Sequence, residues 1–234
     1  MPAVARFLAR HFHRAYYYAM KQTILDTTWL GAPVLKSPLD LWVYQELITE
    51  LRPGLIVEAG TYRGGSALFF AQLTELLGSG RVVTIDLVPA PVPEHERITY
   101  LIGSSVAPET LEQVRARVDP GRPVLVVLDS DHRRDHVLEE LRCYADLVTP
   151  GSYLIVEDTN INGHPVLPKA GPGPMEAVQS FLQEDNRFEV DRSREKFLVT
   201  MHPRGFLQRV VDERVASESG ELSCRLDGRR RVRR

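Results

Sequence analysis

The 234-residue sequence predicts an α/β protein with one doubly wound, mostly parallel sheet of seven strands. Short apolar stretches rich in β-branched residues alternate with segments of helical periodicity, the pattern typical of strands buried on both faces. Two of these stretches, 124–128 and 153–156, run directly into acidic residues. The last two predicted strands follow each other without a helix between them. We therefore expect a terminal hairpin whose last strand is antiparallel.

Each predicted element has a local signal in the sequence. Apolar and aromatic residues recur at helical spacing over 4–21, which predicts an N-terminal amphipathic helix. Ser37 and Pro38 mark the start of the next helix, as N-cap and first helical residue, and the helix ends before Pro53. The predicted strands are 55–58, 81–86, 98–102, 124–128, 153–156, 188–190 and 197–201. The remaining predicted helices are 66–77, 108–118, 135–147 and 175–184.

Composition excludes several classes of protein. The hydrophobic share of 43% and the charged share of 26% are ordinary for a globular domain with a sizeable core. No apolar run approaches the ~20 residues that cross a bilayer. The first ten residues also lack the apolar region and cleavage site of a secretory signal. Cys143 and Cys224 lie far apart and give neither a disulfide framework nor a zinc-ligand spacing. Together these observations lead us to expect a cytoplasmic protein.

Charge is distributed unevenly along the chain, although the net charge is only −2. Residues 225–234 contain six arginines and one acid. Such a tail can contact nucleic acid or an anionic membrane, but the loop-like residues 217–220 before it favour a solvated, disordered end. Nucleic-acid binding is therefore not expected. The predicted organisation is an N-terminal helical segment (1–40), a main domain (41–212) and a basic tail (213–234).

Acidic side chains follow two strands of the predicted sheet. Asp131, with His132 beside it, follows strand 124–128, and Glu157 and Asp158 follow strand 153–156. Ligands of doubly wound sheets gather outside the carboxyl ends of the strands, so we expect these acids to meet there. Three oxygen ligands suit Mg²⁺ or Ca²⁺, and a neighbouring imidazole suits proton abstraction. The alternative is that these acids cap helices or bind a ribose.

A glycine-rich turn, residues 58–66, follows the first core strand. Glycine lets the backbone turn sharply and approach a ligand, but the spacing is not G-x-G-x-x-G and does not predict a pyrophosphate site. Asp86 ends the second strand and is placed to bind a ribose diol, while Ser104 and Ser105 after the third strand border the adenine. These features predict a nucleoside ligand without a pyrophosphate, with S-adenosylmethionine as the first candidate. The alternative is a packing turn, with Asp86 as a helix cap.

Several motifs together resemble those of the cephalosporin hydroxylase family, over about residues 29–203. They are Thr28–Gly31, Lys36–Trp42, Glu58–Thr61, Leu128–His132, Glu157–Thr159 and Gly171–Val178. The resemblance implies a class I S-adenosylmethionine-dependent methyltransferase fold, Rossmann-like, with a bound Mg²⁺. Relatives in that family include enzymes of cephamycin formation and O-methyltransferases acting on rhamnosyl groups of glycolipids.

The resemblance also implies roles for particular residues. Asp131, Glu157 and Asp158 would be the metal ligands, and His132 the general base. The expected cofactor-binding residues are Glu58, Gly60, Thr61, Gly64, Ser66, Asp86, Ser104, Ser105 and Asp129. The implied reaction is O-methylation of a sugar or secondary-metabolite hydroxyl. Two alternatives stay open: an oxygenase, although a facial triad needs two histidines, and a non-catalytic partner subunit that binds the cofactor.

Residues outside these motifs carry weaker predictions. The aromatic segment Phe7–Tyr18 is richer in hydrophobes than a free arm, which predicts contact between the subunits of a homo-oligomer or a cover over the site. Lys36, Trp29 and Trp42 are candidates for the acceptor pocket, with core packing the alternative for both tryptophans. His164 is the second candidate for the base, or a surface-loop histidine.

Overall fold

The computed structural model describes residues 2–210, so the predicted basic tail 213–234 lies outside the described residues. The helices are α1 (Ala3–Tyr18), α2 (Met20–Thr23), α3 (Pro38–Leu51), α4 (Gly65–Leu76), α5 (Pro108–Arg115), α6 (Arg134–Tyr144) and α7 (Pro174–Glu184). The strands are β1 (Thr28–Trp29), β2 (Ala32–Pro33), β3 (Leu55–Ala59), β4 (Arg81–Asp86), β5 (Ile98–Ile102), β6 (Val124–Leu128), β7 (Tyr153–Val156), β8 (Phe188–Val190) and β9 (Phe206–Arg209). Within 2–210, no helix is both long and apolar enough to cross a membrane.

The main sheet has seven strands in the spatial order β5, β4, β3, β6, β7, β9, β8, and β1 and β2 form a separate antiparallel pair. Strands β3 to β7 run parallel, whereas β9 is antiparallel to both β7 and β8. The predicted fold class is confirmed, including its antiparallel terminal strand. Since β3 lies between β4 and β6, the turn after β3 and the acids after β6 leave the sheet side by side.

Helices cover both faces of the sheet. The side chains of α5, α6 and α7 pack on one face, where Val57 of β3 and Val126 of β6 are buried. The side chains of α3 and α4 pack on the other face, against the alternate residues Ile56 and Leu125. Burial on both faces explains why these strands read as continuous apolar runs, and it fixes the strand ends from which the site is built.

The position of the last strand is the one strand prediction that is wrong. Residues 197–201 were expected to form it, but the strand is β9, further along the chain. Phe197 and Leu198 have positive φ angles of 61° and 69°, which a strand does not allow. Val199 and Met201 instead pack against Ile24, beneath the N-terminal helices. These apolar residues therefore bind the N-terminal segment. An apolar run in the sequence does not show whether it pairs in a sheet or packs in this way.

The start of α3 agrees with its sequence signal. The Ser37 hydroxyl accepts the Leu39 N–H at 3.3 Å, and Pro38 is the first helical residue. The cap fixes where the helix begins, and Lys36 therefore enters the protein directly before it.

Candidate active site

A cavity of about 660 Å³ opens at the carboxyl ends of strands β3 to β7. Its cofactor half is formed by the turn after β3 and by the ends of β4 and β5. Its acid half is formed by the residues after β6 and β7, and the N-terminal segment contributes Tyr17, Met20, Ile24 and Leu25 to its lining. The predicted site residues on its wall are Gly60, Thr61, Ser66, Asp86, Ser104, Ser105, Asp129, Asp131, His132, Glu157 and Asp158.

Gly60 is the residue at which the turn after β3 needs glycine. Its φ angle is +102°, and a Cβ there would lie 2.0 Å from the carbonyl oxygen of Asp129. Its N–H donates to the carbonyl of Ile85 at 2.8 Å. The turn is therefore packed directly against the backbone that carries the acids.

Asp86 binds the same turn through its carboxylate. Its Oδ2 accepts the N–H groups of Thr61 and Tyr62 at 3.1 and 2.9 Å, and its Oδ1 accepts the Val88 N–H at 3.2 Å. The side chain remains partly exposed on the cavity wall. Because a carboxylate has about four acceptor positions, it can fix the turn and still accept hydroxyl groups from a ligand.

The other predicted cofactor residues differ in whether their side chains reach the cavity wall. Ser66 and Ser104 line the cavity, and Gly64 is the N-cap of α4. Ser105 also lines the cavity, but its hydroxyl donates to the buried Glu140. Glu58 is fully buried and is not on the cavity wall; its Oε2 accepts the Thr84 hydroxyl at 2.7 Å. Burial raises the pKa of Glu58 to about 7, against the opposing effect of Lys36.

In the acid half, Asp129 and Glu157 share one partner. The Lys36 ammonium donates to Asp129 Oδ2 at 2.7 Å and to Glu157 Oε1 at 2.5 Å. Glu157 Oε1 also accepts the Tyr44 hydroxyl at 2.7 Å. Lys36, Tyr44 and Glu157 are all buried, so these contacts form out of water.

His132 lies between the carboxylates of Asp129 and Asp158. Its Nε2 is 3.5 Å from Asp129 Oδ1 and 3.3 Å from Asp158 Oδ2. Ligating atoms of Asp129, His132 and Asp158 all lie within 4.8 Å of one another. Asp158 adopts a positive φ of 53°, and its N–H donates to His202 Nδ1 at 3.3 Å. The strained backbone thus directs the Asp158 side chain toward His132.

Asp131 is placed differently from the sequence prediction. Its carboxylate pairs with the Arg133 guanidinium and accepts the Arg133 N–H at 2.9 Å. It lies on the cavity wall but outside the group that Asp129 forms with His132 and Asp158. Of the three predicted metal ligands, Asp158 belongs to this group, whereas Asp131 and Glu157 do not; Asp129, predicted as a cofactor-binding residue, does. Asp131 is held by Arg133, two residues along the chain, whereas Asp129 is held by the distant Lys36.

The charges of this half shift one another's pKa values. Burial raises the pKa of Glu157 to about 7 and that of Asp158 to about 6. Burial acts the same way on Asp129, but the Lys36 ammonium and His132 together outweigh it and hold the pKa of Asp129 well below its usual range. Burial alone would lower the pKa of His132, yet its hydrogen bond to Asp129 and the Asp158 charge raise that pKa to about 9. With a pKa this high, His132 is protonated at neutral pH in this arrangement.

The weaker candidates are also placed by the structure. Trp29 donates to Gln72 Oε1 at 2.6 Å and packs edge-to-face on Phe69, so it belongs to the core. Trp42 is 60% exposed and is not on the cavity wall. His164 Nε2 is 2.8 Å from Glu176 Oε1 and does not line the cavity.

Sequence reasoning named Lys36 only as a candidate for the acceptor pocket, and it missed Asp40 and Tyr44 beneath the acids. The three residues Lys36, Asp40 and Tyr44 recur every four positions; Lys36 precedes the cap of α3, while Asp40 and Tyr44 lie on one side of its first turns. Asp40 Oδ2 accepts the Met201 N–H at 2.9 Å, and it is 3.7 Å from the buried His202 Nε2. A polar residue every fourth position, on a helix with a buried apolar face, was the available signal.

The fold and this site define a class I methyltransferase. The profile of the family described as Rhamnosyl O-methyltransferase/CmcI matches residues 21–210, and the chain belongs to that family. It is 40% identical over 211 residues to the Rhamnosyl O-methyltransferase of Mycobacterium tuberculosis (strain ATCC 25618 / H37Rv), covering 86% of this chain and 85% of the relative. The Mycobacterium leprae (strain TN) protein of the same name is 40% identical over 210 residues, covering 86% and 90%.

Solved structures agree with this membership. A CmcI structure with Mg and SAM superposes with a TM-score of 0.65 at 26% identity, covering 80% of this chain and 78% of that chain. An apo structure of CmcI gives the same TM-score at 27% identity, with the same coverage. The predicted family and the predicted enzyme class, O-methyltransferase, are thereby confirmed.

Proposed function

We propose that this enzyme transfers the methyl group of S-adenosylmethionine to a sugar hydroxyl, with the help of a divalent cation. A rhamnosyl unit is the first candidate acceptor, because the relatives above are rhamnosyl O-methyltransferases. Mg²⁺ and the methyl donor are named for the CmcI structure. The observation that carries the proposal is the division of one cavity into a half suited to a nucleoside and a half with converging carboxylates.

In the cofactor half, the chain's own groups suit a nucleoside with a cationic amino-acid arm. Asp86 presents a carboxylate to two ribose hydroxyls, and the Gly60 turn lets a ligand approach the backbone. Ser104 stands at the end of β5, where it can border the base. The absence of the G-x-G-x-x-G spacing is consistent with a ligand that carries no pyrophosphate.

In the acid half, Asp129, Glu157 and Asp158 are the residues proposed to hold Mg²⁺. The fit is chemical, since carboxylate oxygens are the ligands that Mg²⁺ prefers and Asp129 and Asp158 place theirs in one tight group. When bound, Mg²⁺ would supply Lewis-acid chemistry that lowers the pKa of an acceptor hydroxyl. Asp131, which pairs with Arg133, is not included in the proposed set.

His132 is proposed as the general base. Its Nε2 lies on the cavity wall beside both Asp129 and Asp158, where an acceptor hydroxyl would meet the carboxylates. The carboxylates that raise the pKa of His132 are also proposed cation ligands. Neutralising their charge removes the cause of that high pKa, and the imidazole can then accept a proton near neutral pH.

The N-terminal segment is proposed to cover the acceptor. Tyr17, Met20, Ile24 and Leu25 face the cavity beside the acid half, whereas Phe7, Leu8 and Phe12 of α1 point outward and are more than half exposed. The inward side chains would exclude water from the transfer step. The outward residues support contact between the subunits of a homo-oligomer.

The test of the reaction uses purified full-length protein, S-adenosylmethionine and a methyl rhamnoside. Chelation should abolish transfer and Mg²⁺ should restore it, while S-adenosylhomocysteine still binds in calorimetry. His132→Ala should slow turnover by ~10²–10⁴-fold with cofactor binding intact, and the residual rate should rise at high pH. Full activity in excess chelator would remove the cation from the proposal. Normal turnover of His132→Ala would reassign the base.

The test of assembly is the mass measured by light scattering. Replacing Phe7, Leu8 and Phe12 together with serine should lower that mass if these residues pack between subunits. Leu76→Ser is the matched control, because Leu76 is also a highly exposed apolar residue but lies on α4. A monomeric wild-type protein, or an unchanged mass in the triple variant, rejects the subunit contact.

A further inference from the structure

Lys36 is a buried cation that the proposed reaction does not use. The residue is only 3% exposed, although lysine is almost never fully buried unless it is paired. Both of its close partners are acids of the site, Asp129 and Glu157. An ammonium this deep is stable only because those two charges and their hydrogen bonds replace water.

The contacts of Lys36 use one oxygen of each acid and leave the other. On Asp129 it binds Oδ2, while Oδ1 is the oxygen near His132. On Glu157 it binds Oε1, together with the Tyr44 hydroxyl, while Oε2 lies 3.8 Å from His202 Nε2 and accepts no hydrogen bond within residues 2–210. Each carboxylate is therefore fixed from below and keeps a second oxygen for another partner.

The chain delivers Lys36 to this place through the start of α3. Ser37 caps the helix and Pro38 begins it, so the backbone at Lys36 is held by the cap. Tyr44, on the same side of that helix, binds the same Glu157 oxygen. Two donors, one directly before the cap of α3 and one within the helix, thus set the orientation of acids that come from two different strands, as outer partners of metal ligands do.

We infer that Lys36 is a positioning residue that holds Asp129 and Glu157 as a preformed acid pair for a divalent cation. This inference rests on the proposed function, since it assumes that these acids bind the cation. The opposing possibility is that the ammonium only adds a positive charge that repels the cation. The two differ in sign, because losing a positioning residue weakens cation binding and losing a repelling charge strengthens it.

The experiment measures Mg²⁺ binding by calorimetry on full-length wild-type protein, Lys36→Met and Lys36→Arg. Lys36→Met should weaken Mg²⁺ binding by ~10–100-fold, the usual effect of losing an outer partner of a ligand. Lys36→Arg, which can still bridge two carboxylates, should recover part of that loss. S-adenosylhomocysteine affinity should be unchanged in both variants, because the hydrogen bonds of Lys36 go to Asp129 and Glu157 of the acid half.

Controls separate this inference from a folding defect and from failure of the proposed function. Lys196→Met removes a lysine that pairs with Glu46 away from the cavity, and it should leave Mg²⁺ binding unchanged. If Lys36→Met is the one variant that fails to fold, Lys36→Arg and Lys36→Gln provide the same comparison. Equal or tighter Mg²⁺ binding by folded Lys36 variants overturns the positioning role. A wild-type protein that binds no Mg²⁺ instead overturns the proposed cation site.

Discussion

The glycine turn after β3 and the acidic segment after β6 leave neighbouring strands at the same edge of the sheet, yet they differ in what fixes them. In the turn, the contacts involve backbone groups. Gly60 has a positive φ, and Asp86 accepts the N–H groups of Thr61 and Tyr62, the two residues after Gly60. In the acidic segment, Asp129 and Asp131 are two residues apart and have different partners, the buried Lys36 and the exposed Arg133. Local patterns suffice for the first region, whereas the second depends on distant packing.

The largest expected effect separates Asp129 from Asp131. Asp129→Asn should lower kcat/KM by ~10³-fold or more, since it removes a proposed cation ligand that contacts both Lys36 and His132. Asp131→Asn should change it by less than about threefold, because an exposed ion pair contributes little. Steady-state kinetics at saturating Mg²⁺ measure kcat/KM for the two variants and for the wild type. Equal losses in the two variants would return Asp131 to the ligand set.

A second test asks how tightly the two regions are joined. Gly60→Ala should lower the free energy of unfolding by about 3 kcal/mol or more, because the new Cβ meets the Asp129 carbonyl oxygen at 2.0 Å in a left-handed conformation. Gly78→Ala is the matched control, with a φ of +73° and no atom within 4 Å. It should cost only about 1 kcal/mol. Urea unfolding measures both, and similar losses would mean that the turn is not pressed against the acidic segment.

A third test concerns the helix that closes the acid half. His13 of α1 is buried, and its Nε2 accepts the Asn160 amide at 3.0 Å. Burial lowers the pKa of His13 to about 4, from 6.5 in the unfolded chain. The unfolded state therefore binds the proton first, and stability should fall by up to about 3 kcal/mol between pH 6.5 and pH 4.

The check is the difference in unfolding free energy between wild type and His13→Gln, followed across that pH range. His202 is also buried with a lowered pKa, so both proteins retain its contribution and the difference isolates His13. A difference that does not change with pH would show that His13 is not buried as a neutral ring in the folded protein.

The smallest expected effect lies in the cofactor half. Asp86→Ala should weaken S-adenosylhomocysteine binding by about 1.5–3 kcal/mol, the usual worth of hydrogen bonds to a charged group. Mg²⁺ binding should not change, since the Asp86 carboxylate binds the turn and the Val88 N–H, and none of the acids. Asp86→Asn keeps the shape of the side chain and should lose less. Cofactor binding that is unchanged in Asp86→Ala would leave this carboxylate with a structural role alone.

The sequence by itself determined strands β3 to β8, most helices, and the positions of the glycine turn and Asp86 at the strand ends. Strands β4 to β8 match their predicted bounds, because residues buried on both faces of a sheet leave a continuous apolar run. The glycine turn and Asp86 were recognisable because their roles depend on backbone geometry within a few residues of each strand end.

Only the tertiary structure decided which acids converge and what lies beneath them. Choosing Asp129 over Asp131 depends on side-chain direction after β6 and on Lys36, which is 93 residues away in the chain. The same holds for the wrongly predicted last strand, residues 197–201, whose Val199 and Met201 pack against Ile24 instead. Periodicity records which residues are buried, but not which distant group each one meets, because that choice is made when α3 and the N-terminal helices pack onto the sheet.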